Sequence, residues 1–67
     1  MKLVVVSDTG YKALIETEPD GDHWQVKSAA YIFRGVLSPF VVLKRGLSEP
    51  DAERYANALA DAIKGEK

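Results

Sequence analysis

The feature that most constrains this chain is its C-terminal segment, which has the pattern of one amphipathic helix with both ends marked. Ser48 is placed to cap the first turn, and Pro50 falls where a missing N–H costs little. Gly65 supplies the stop. The apolar side chains between them share one arc: Tyr55, Ala62, Leu59, Ala52, Ile63, Ala56 and Ala60. The pattern predicts a helix over residues 48–64 that packs one side on a sheet.

The remaining sequence predicts short β-strands separated by turn residues. Valine-rich runs and period-two alternation are typical of strands, and Gly or Pro stands between them. A strong turn signal, Pro-Asp-Gly-Asp, occupies residues 19–22. The predicted strands cover residues 2–7, 11–18, 23–33 and 40–44. We therefore expect one α+β domain over residues 1–67, with an antiparallel sheet of about four strands, in β-β-β-β-α order, packed by the helix.

The third predicted strand contains an irregularity that the sequence leaves open. Trp24 and Val26 share one side of an extended strand, whereas Tyr31 and Phe33 share the other. A β-bulge at residues 28–30 would bring all four to one buried face. A short helical turn over residues 28–34 is the competing interpretation.

Composition limits the classes of function. The chain has 67 residues, a formal net charge of -1 and no cysteine. A secreted domain of this size usually needs disulfides, so we expect a cytoplasmic protein. No segment approaches the ~20 apolar residues of a membrane span, and no phosphate-binding or metal-binding motif is present. The sequence predicts no cofactor, no metal site and no catalytic residues, and so a protein that is not an enzyme.

The strands carry more apolar surface than one helix covers. The first and fourth strands are apolar on both sides, and Leu14 lies on the otherwise charged side of the second. Val4, Val6 and Leu14 are therefore candidate partner-binding residues. Since a soluble monomer rarely exposes a large apolar patch, three outcomes fit: a sheet closed into a small barrel, self-association as a homodimer, or a protein partner.

Acidic side chains around the second turn form another candidate surface: Glu16, Glu18, Asp20 and Asp22. Such a group could dock on a basic partner. A hard-metal site is the alternative, but the loop lacks the number and spacing of ligands that calcium loops have.

A basic set of residues with aromatic neighbours suggests a different function: Lys27, Arg34, Lys44, Arg45, Tyr31 and Phe33. Aromatic side chains beside basic ones are how sheet-type domains bind RNA. Residues 27–34 resemble the sequence pattern of RNA-recognition domains, but they have Ala29 and Arg34 where that pattern has aromatic residues, and they lack its glycine. The leading hypothesis is a non-enzymatic protein-interaction module, with an inhibitor or adaptor of bacterial or phage type as a subcase. Weak nucleic-acid binding is the alternative.

Overall fold

Four strands and one C-terminal helix make up the fold in a computed structural model, which describes residues 1–65 apart from the side chain of Phe33. The elements are β1 Lys2–Val6, β2 Lys12–Asp20, β3 His23–Ala30, a 3-10 turn at Phe33–Gly35, β4 Val41–Leu47 and α1 Glu49–Lys64. The strands form one sheet in the order β1-β2-β3-β4, with every neighbouring pair antiparallel. The predicted α+β fold is confirmed. Because β1 and β4 are the two edges, the sheet is open and the closed barrel is wrong.

The helix has the caps that its sequence predicts. The Ser48 hydroxyl oxygen accepts a hydrogen bond from the Asp51 N–H at 3.2 Å, which satisfies one of the donors left free at a helix start. At the other end Gly65 is left-handed, with φ of 77°, and its N–H donates to the carbonyls of Asp61 and Ala62. Local chemistry therefore determines where α1 begins and ends.

The hydrophobic core lies between α1 and the first three strands. Its buried side chains are Val5, Ile15, Val26, Ala52, Ala56 and Ala60. The three alanines recur every four residues, so they form one stripe along α1, and their small size lets the helix lie close to the sheet. Tyr55 and Ala62, which the helical pattern placed on the apolar arc, remain exposed. The buried stripe is therefore narrower than the sequence predicts.

The β2–β3 hairpin is tighter than the turn predicted at residues 19–22. β2 continues through Pro19 to Asp20, which pairs with His23. In an antiparallel pair the backbone groups of alternate residues point toward the same neighbouring strand. The Thr17 N–H bonds to the Met1 carbonyl, so the backbone of position 19 also points toward the β1 side. The first residue of β1, Lys2, lies opposite Glu16, so no residue of β1 lies opposite Pro19 and its missing N–H costs no ladder bond. Gly21 alone has positive φ in this turn, at 64°, as a type II′ hairpin requires.

The third and fourth strands differ from their predicted ends. β3 stops at Ala30 and pairs with β2 without a shift, so the bulge proposed at residues 28–30 is wrong. The helical turn covers only Phe33–Gly35, inside a connection closed by the Ile32 N–H bonded to the Val36 carbonyl at 2.7 Å. The register shifts lie instead between β3 and β4, near Val26. These shifts place extra residues in β4, as β-bulges do, and the strand extends to Leu47.

Candidate functional site

One face of the sheet has no helix or strand over it in residues 1–65, and we call this the open face. Strand side chains alternate between faces. Because Val5 and Ile15 pack in the core under α1, the residues next to them, such as Val4 and Leu14, lie on the open face. The open face carries Lys2, Val4, Val6, Lys12, Leu14, Glu16, Glu18, Gln25, Lys27, Ala29, Tyr31, Phe40 and Val42.

An apolar strip, made of Val4, Leu14, Ala29 and Phe40, crosses the open face. Leu14 lies directly opposite Val4 on β1 and opposite Ala29 on β3. The two central side chains are buried although no helix covers them, with 6% of Leu14 and 3% of Ala29 exposed. The two ends remain open, with 55% of Val4 and 37% of Phe40 exposed. The strip therefore has an exposed apolar side chain at each end and two buried side chains at its centre.

A lysine and a tyrosine border the apolar strip on one side. The Lys12 ammonium lies 4.6 Å from the centre of the Tyr31 ring, within the range of a cation–π contact. The backbone holds the two residues side by side, because the Tyr31 N–H donates to the Lys12 carbonyl at 2.9 Å. The positive charge is thus held over an aromatic ring at the sheet surface.

A polar network borders the apolar strip on the other side. The Lys27 ammonium is 2.8 Å from one carboxylate oxygen of Glu18, and the Gln25 side-chain amide donates to the other oxygen. Lys27 also lies 4.7 Å from the centre of the Phe40 ring. The hydrogen bond from Lys27, and then that from Gln25, hold the pKa of Glu18 below its ordinary value. The same bond to Glu18 raises the pKa of Lys27.

We expect the Glu18 carboxyl to report this network in an acid titration followed by NMR. Its pKa should lie below the ordinary value in the native chain and rise toward it in a Lys27→Met variant, because the strongest donor is gone. A depressed pKa stabilises the fold above the unfolded-state pKa, and that contribution is lost as pH falls through the folded-state pKa. A Lys12→Met variant is the control, since Lys12 lies beside Tyr31. An equal rise in both variants would contradict the assignment.

The four predicted acidic residues separate into two places. Glu16 and Glu18 are half-buried on the open face, and Glu18 is paired with Lys27. Asp20 and Asp22 are exposed at the β2–β3 hairpin. Within residues 1–65 no group of three or more His, Cys, Asp or Glu side chains comes together that could hold a metal ion. The acidic set is therefore divided between the sheet, where Glu18 is paired with Lys27, and a solvated hairpin tip.

The predicted basic and aromatic residues do not form one edge. Lys27 and Tyr31 lie on the open face, each in contact with another side chain. Lys44 and Arg45 lie on the outer strand β4, where they line a shallow depression with Val42 and Leu43. Arg34 lies in the β3–β4 connection with φ of 60°, and the side chain of Phe33 is outside the described part of the chain.

The predicted partner-binding residues Val4, Val6 and Leu14 all lie on the open face, but two residues that shape this face were not predicted. Lys12 alternates with Leu14 along β2, so the period-two pattern contained its signal. Phe40 requires the register of β4 against β3, which has two shifts and no local sequence marker. The strip is thus visible only after the strands are paired.

Comparison with known proteins adds no relative from which a function could be transferred. No protein-family model matches the chain, and searches of curated proteins and of solved structures give no significant match. None of the helices in residues 1–65 has the length and apolar character needed to cross a bilayer. The geometry of the open face is therefore the feature that bears on function.

Proposed function

We propose that this chain is a non-enzymatic protein-interaction module that binds another protein through the open face. The observation that carries the proposal is the apolar strip, whose exposed ends Val4 and Phe40 lie on the face that α1 leaves bare. Exposed apolar surface rimmed by polar groups is typical of protein-binding sites. Here the rim is formed by the Lys12–Tyr31 contact and the Glu18–Lys27 pair. Val6 and Val42 extend the apolar area beside the strip.

The charges on the open face support a protein partner over a nucleic acid. Lys27 is engaged by Glu18, and Glu16 faces the same side, so a phosphate would meet carboxylates along with lysines. The alternative function, weak nucleic-acid binding, would use the predicted basic and aromatic set: Lys27, Arg34, Lys44, Arg45, Tyr31 and Phe33. Affinity for mixed oligonucleotides that falls steeply with added salt would favour that alternative.

We infer that the module acts in the cytoplasm and acts by binding alone. The absence of cysteine supports action in a reducing cytoplasm, because the chain needs no disulfide to fold. An inhibitor or adaptor, of bacterial or phage type, would act by occupying an apolar surface of its target with the open face. Neither role requires a catalytic group in the chain.

A pair of adjacent valines on β4 tests the proposal. Val42 faces Lys27 on the open face, whereas its neighbour Val41 faces Ser28 on the opposite side. We expect Val42→Glu to weaken capture of a partner at least tenfold, about 1.4 kcal/mol, because a carboxylate would be buried in an apolar contact. The measurement is capture from the native host's lysate by tagged protein, followed by titration with the purified partner.

The matched control is Val41→Glu, which adds the same charge to the same strand. Val41 is the more exposed of the two, at 60% against 36% for Val42, so the control should fold at least as well. Circular dichroism of both variants verifies the fold. A partner lost with Val41→Glu and retained with Val42→Glu would place binding on the other side of β4.

A further inference from the structure

Within residues 1–65 no strand pairs with the outer edge of β1, so the backbone hydrogen-bonding groups along it are unused there. The Met1 carbonyl accepts from Thr17, and the Ser7 N–H donates to the Tyr11 carbonyl, so odd-numbered positions point toward β2. In an antiparallel pair the bonded positions alternate. Lys2, Val4 and Val6 therefore direct their N–H and C=O groups away from the sheet.

The two edges of the sheet are not equally protected against pairing. β4 has two register shifts, a left-handed Gly46 and the charged pair Lys44 and Arg45, which are devices that prevent edge-to-edge association. β1 pairs with β2 without a shift and has no charge, proline or glycine from position 3 to position 6. Val4 and Val6 are more than half exposed on it. The unprotected edge is thus also an apolar one.

We propose that β1 pairs antiparallel with β1 of a second copy of this chain, giving a two-fold symmetric dimer with one continuous eight-stranded sheet. The two-fold axis passes between the two Val4 residues. In that register Val4 bonds to Val4 of the second copy, and Lys2 bonds to Val6 at each end. All outward groups of the five-residue strand then find partners, in six hydrogen bonds. This assembly does not rest on the function proposed for the open face.

The occupant is a second copy because the edge is complementary to itself. In a two-fold interface the same surface of both copies is in contact, so that surface must be complementary to itself. The central residue of β1, Val4, is one of the outward-pointing positions, so rotation about it places donors opposite acceptors along the whole strand. The two Lys2 residues would lie four residues apart, ~14 Å. Salt screens like charges at that distance, since the Debye length is ~8–10 Å.

The dimer would also join the two apolar strips. Val4 of each copy lies opposite its own Leu14. Pairing at Val4 therefore produces a row running Leu14, Val4, Val4, Leu14 on the open side, while Leu3 and Val5 of the two copies meet on the helix side. Both α1 helices then lie on one face of the sheet, and the whole opposite face remains available to a partner.

Replacing Val4 by proline directly tests the seam, by which we mean the row of hydrogen bonds between the two β1 strands. The Val4 N–H points outward, so Val4→Pro removes the central donor of the seam without removing a bond between β1 and β2, as an edge strand tolerates. Sedimentation from about 1 μM to about 1 mM should show the native mass rising toward twice 7.4 kDa, while Val4→Pro stays at the single mass. Val4→Thr is the control, because it keeps the N–H and a β-branched side chain and should still dimerise.

Amide exchange of the native chain provides a second measurement that does not depend on the folding of the proline variant. The amides of Val4 and Val6 should gain protection at high concentration, whereas those of Leu3 and Val5, already bonded to β2, should be protected throughout. A single mass over the full concentration range would overturn the proposal. So would a dimer in which the Val4 amide stays unprotected or which Val4→Pro retains. No partner protein enters these measurements, so their failure leaves binding at the open face untouched.

Discussion

Replacing Ile15 by alanine is expected to cost about 2–5 kcal/mol of folding free energy, the range for removing a large aliphatic side chain from a core. Ile15 is fully buried at the centre of the cluster between β2 and α1. A domain of this length has roughly 3–10 kcal/mol of total stability. The variant should therefore be partly or wholly unfolded at room temperature. Thermal and urea unfolding, followed by circular dichroism, measure the loss.

The matched control for Ile15→Ala is the same substitution at Ile32. This isoleucine lies in the β3–β4 connection and is 55% exposed. Ile32→Ala should change stability by less than about 0.5 kcal/mol, as surface substitutions usually do. Protein concentration must be equal in all samples, because self-association makes the melting temperature depend on concentration. Equal losses for the two variants would mean that the core is not centred between β2 and α1.

The helix could be predicted from sequence because its determinants are local. The Ser48 cap, Pro50 in the first turn and the Gly65 stop each act within a few residues, and all three have the expected roles. The number of strands also followed, since turn residues separate the apolar runs. The local pattern overestimated the width of the buried arc of α1. Tyr55 is exposed because α1 rests on a narrow alanine stripe.

The strand ends could not be predicted because they depend on neighbours distant in sequence. A proline usually ends a strand, yet β2 passes through Pro19 because β1 stops three residues earlier in the paired register. Tyr31 and Trp24 lie on opposite faces of the sheet, so the single buried face that a bulge would have produced does not form. Both facts are consequences of register, which turn geometry and long-range packing fix together.

The open face was predictable as a surplus of apolar side chains but not as a site. The surplus made Val4, Val6 and Leu14 candidate partner-binding residues, and all three lie on the open face. The pairing of Glu18 with Lys27, and the position of Lys27 beside Phe40, required the register of three strands. These contacts join one predicted acidic residue, Glu18, to one predicted basic residue, Lys27. A surface that the sequence predicts as two charged patches is, in the folded chain, one apolar strip bordered by the Lys12–Tyr31 contact and the Glu18–Lys27 pair.

The alanine stripe lets α1 lie close to the sheet, and Ala56 tests this contact. Ala56 is the middle of the alanine stripe and is 1% exposed. Ala56→Leu should destabilise the fold by about 1–3 kcal/mol, because the added atoms push the helix away from the strands. Ala62→Leu, on the exposed side of the same helix, should be nearly neutral, since leucine and alanine have similar helix propensity. Urea unfolding of the two variants gives the comparison, and equal stability would mean that α1 does not rest on its alanines.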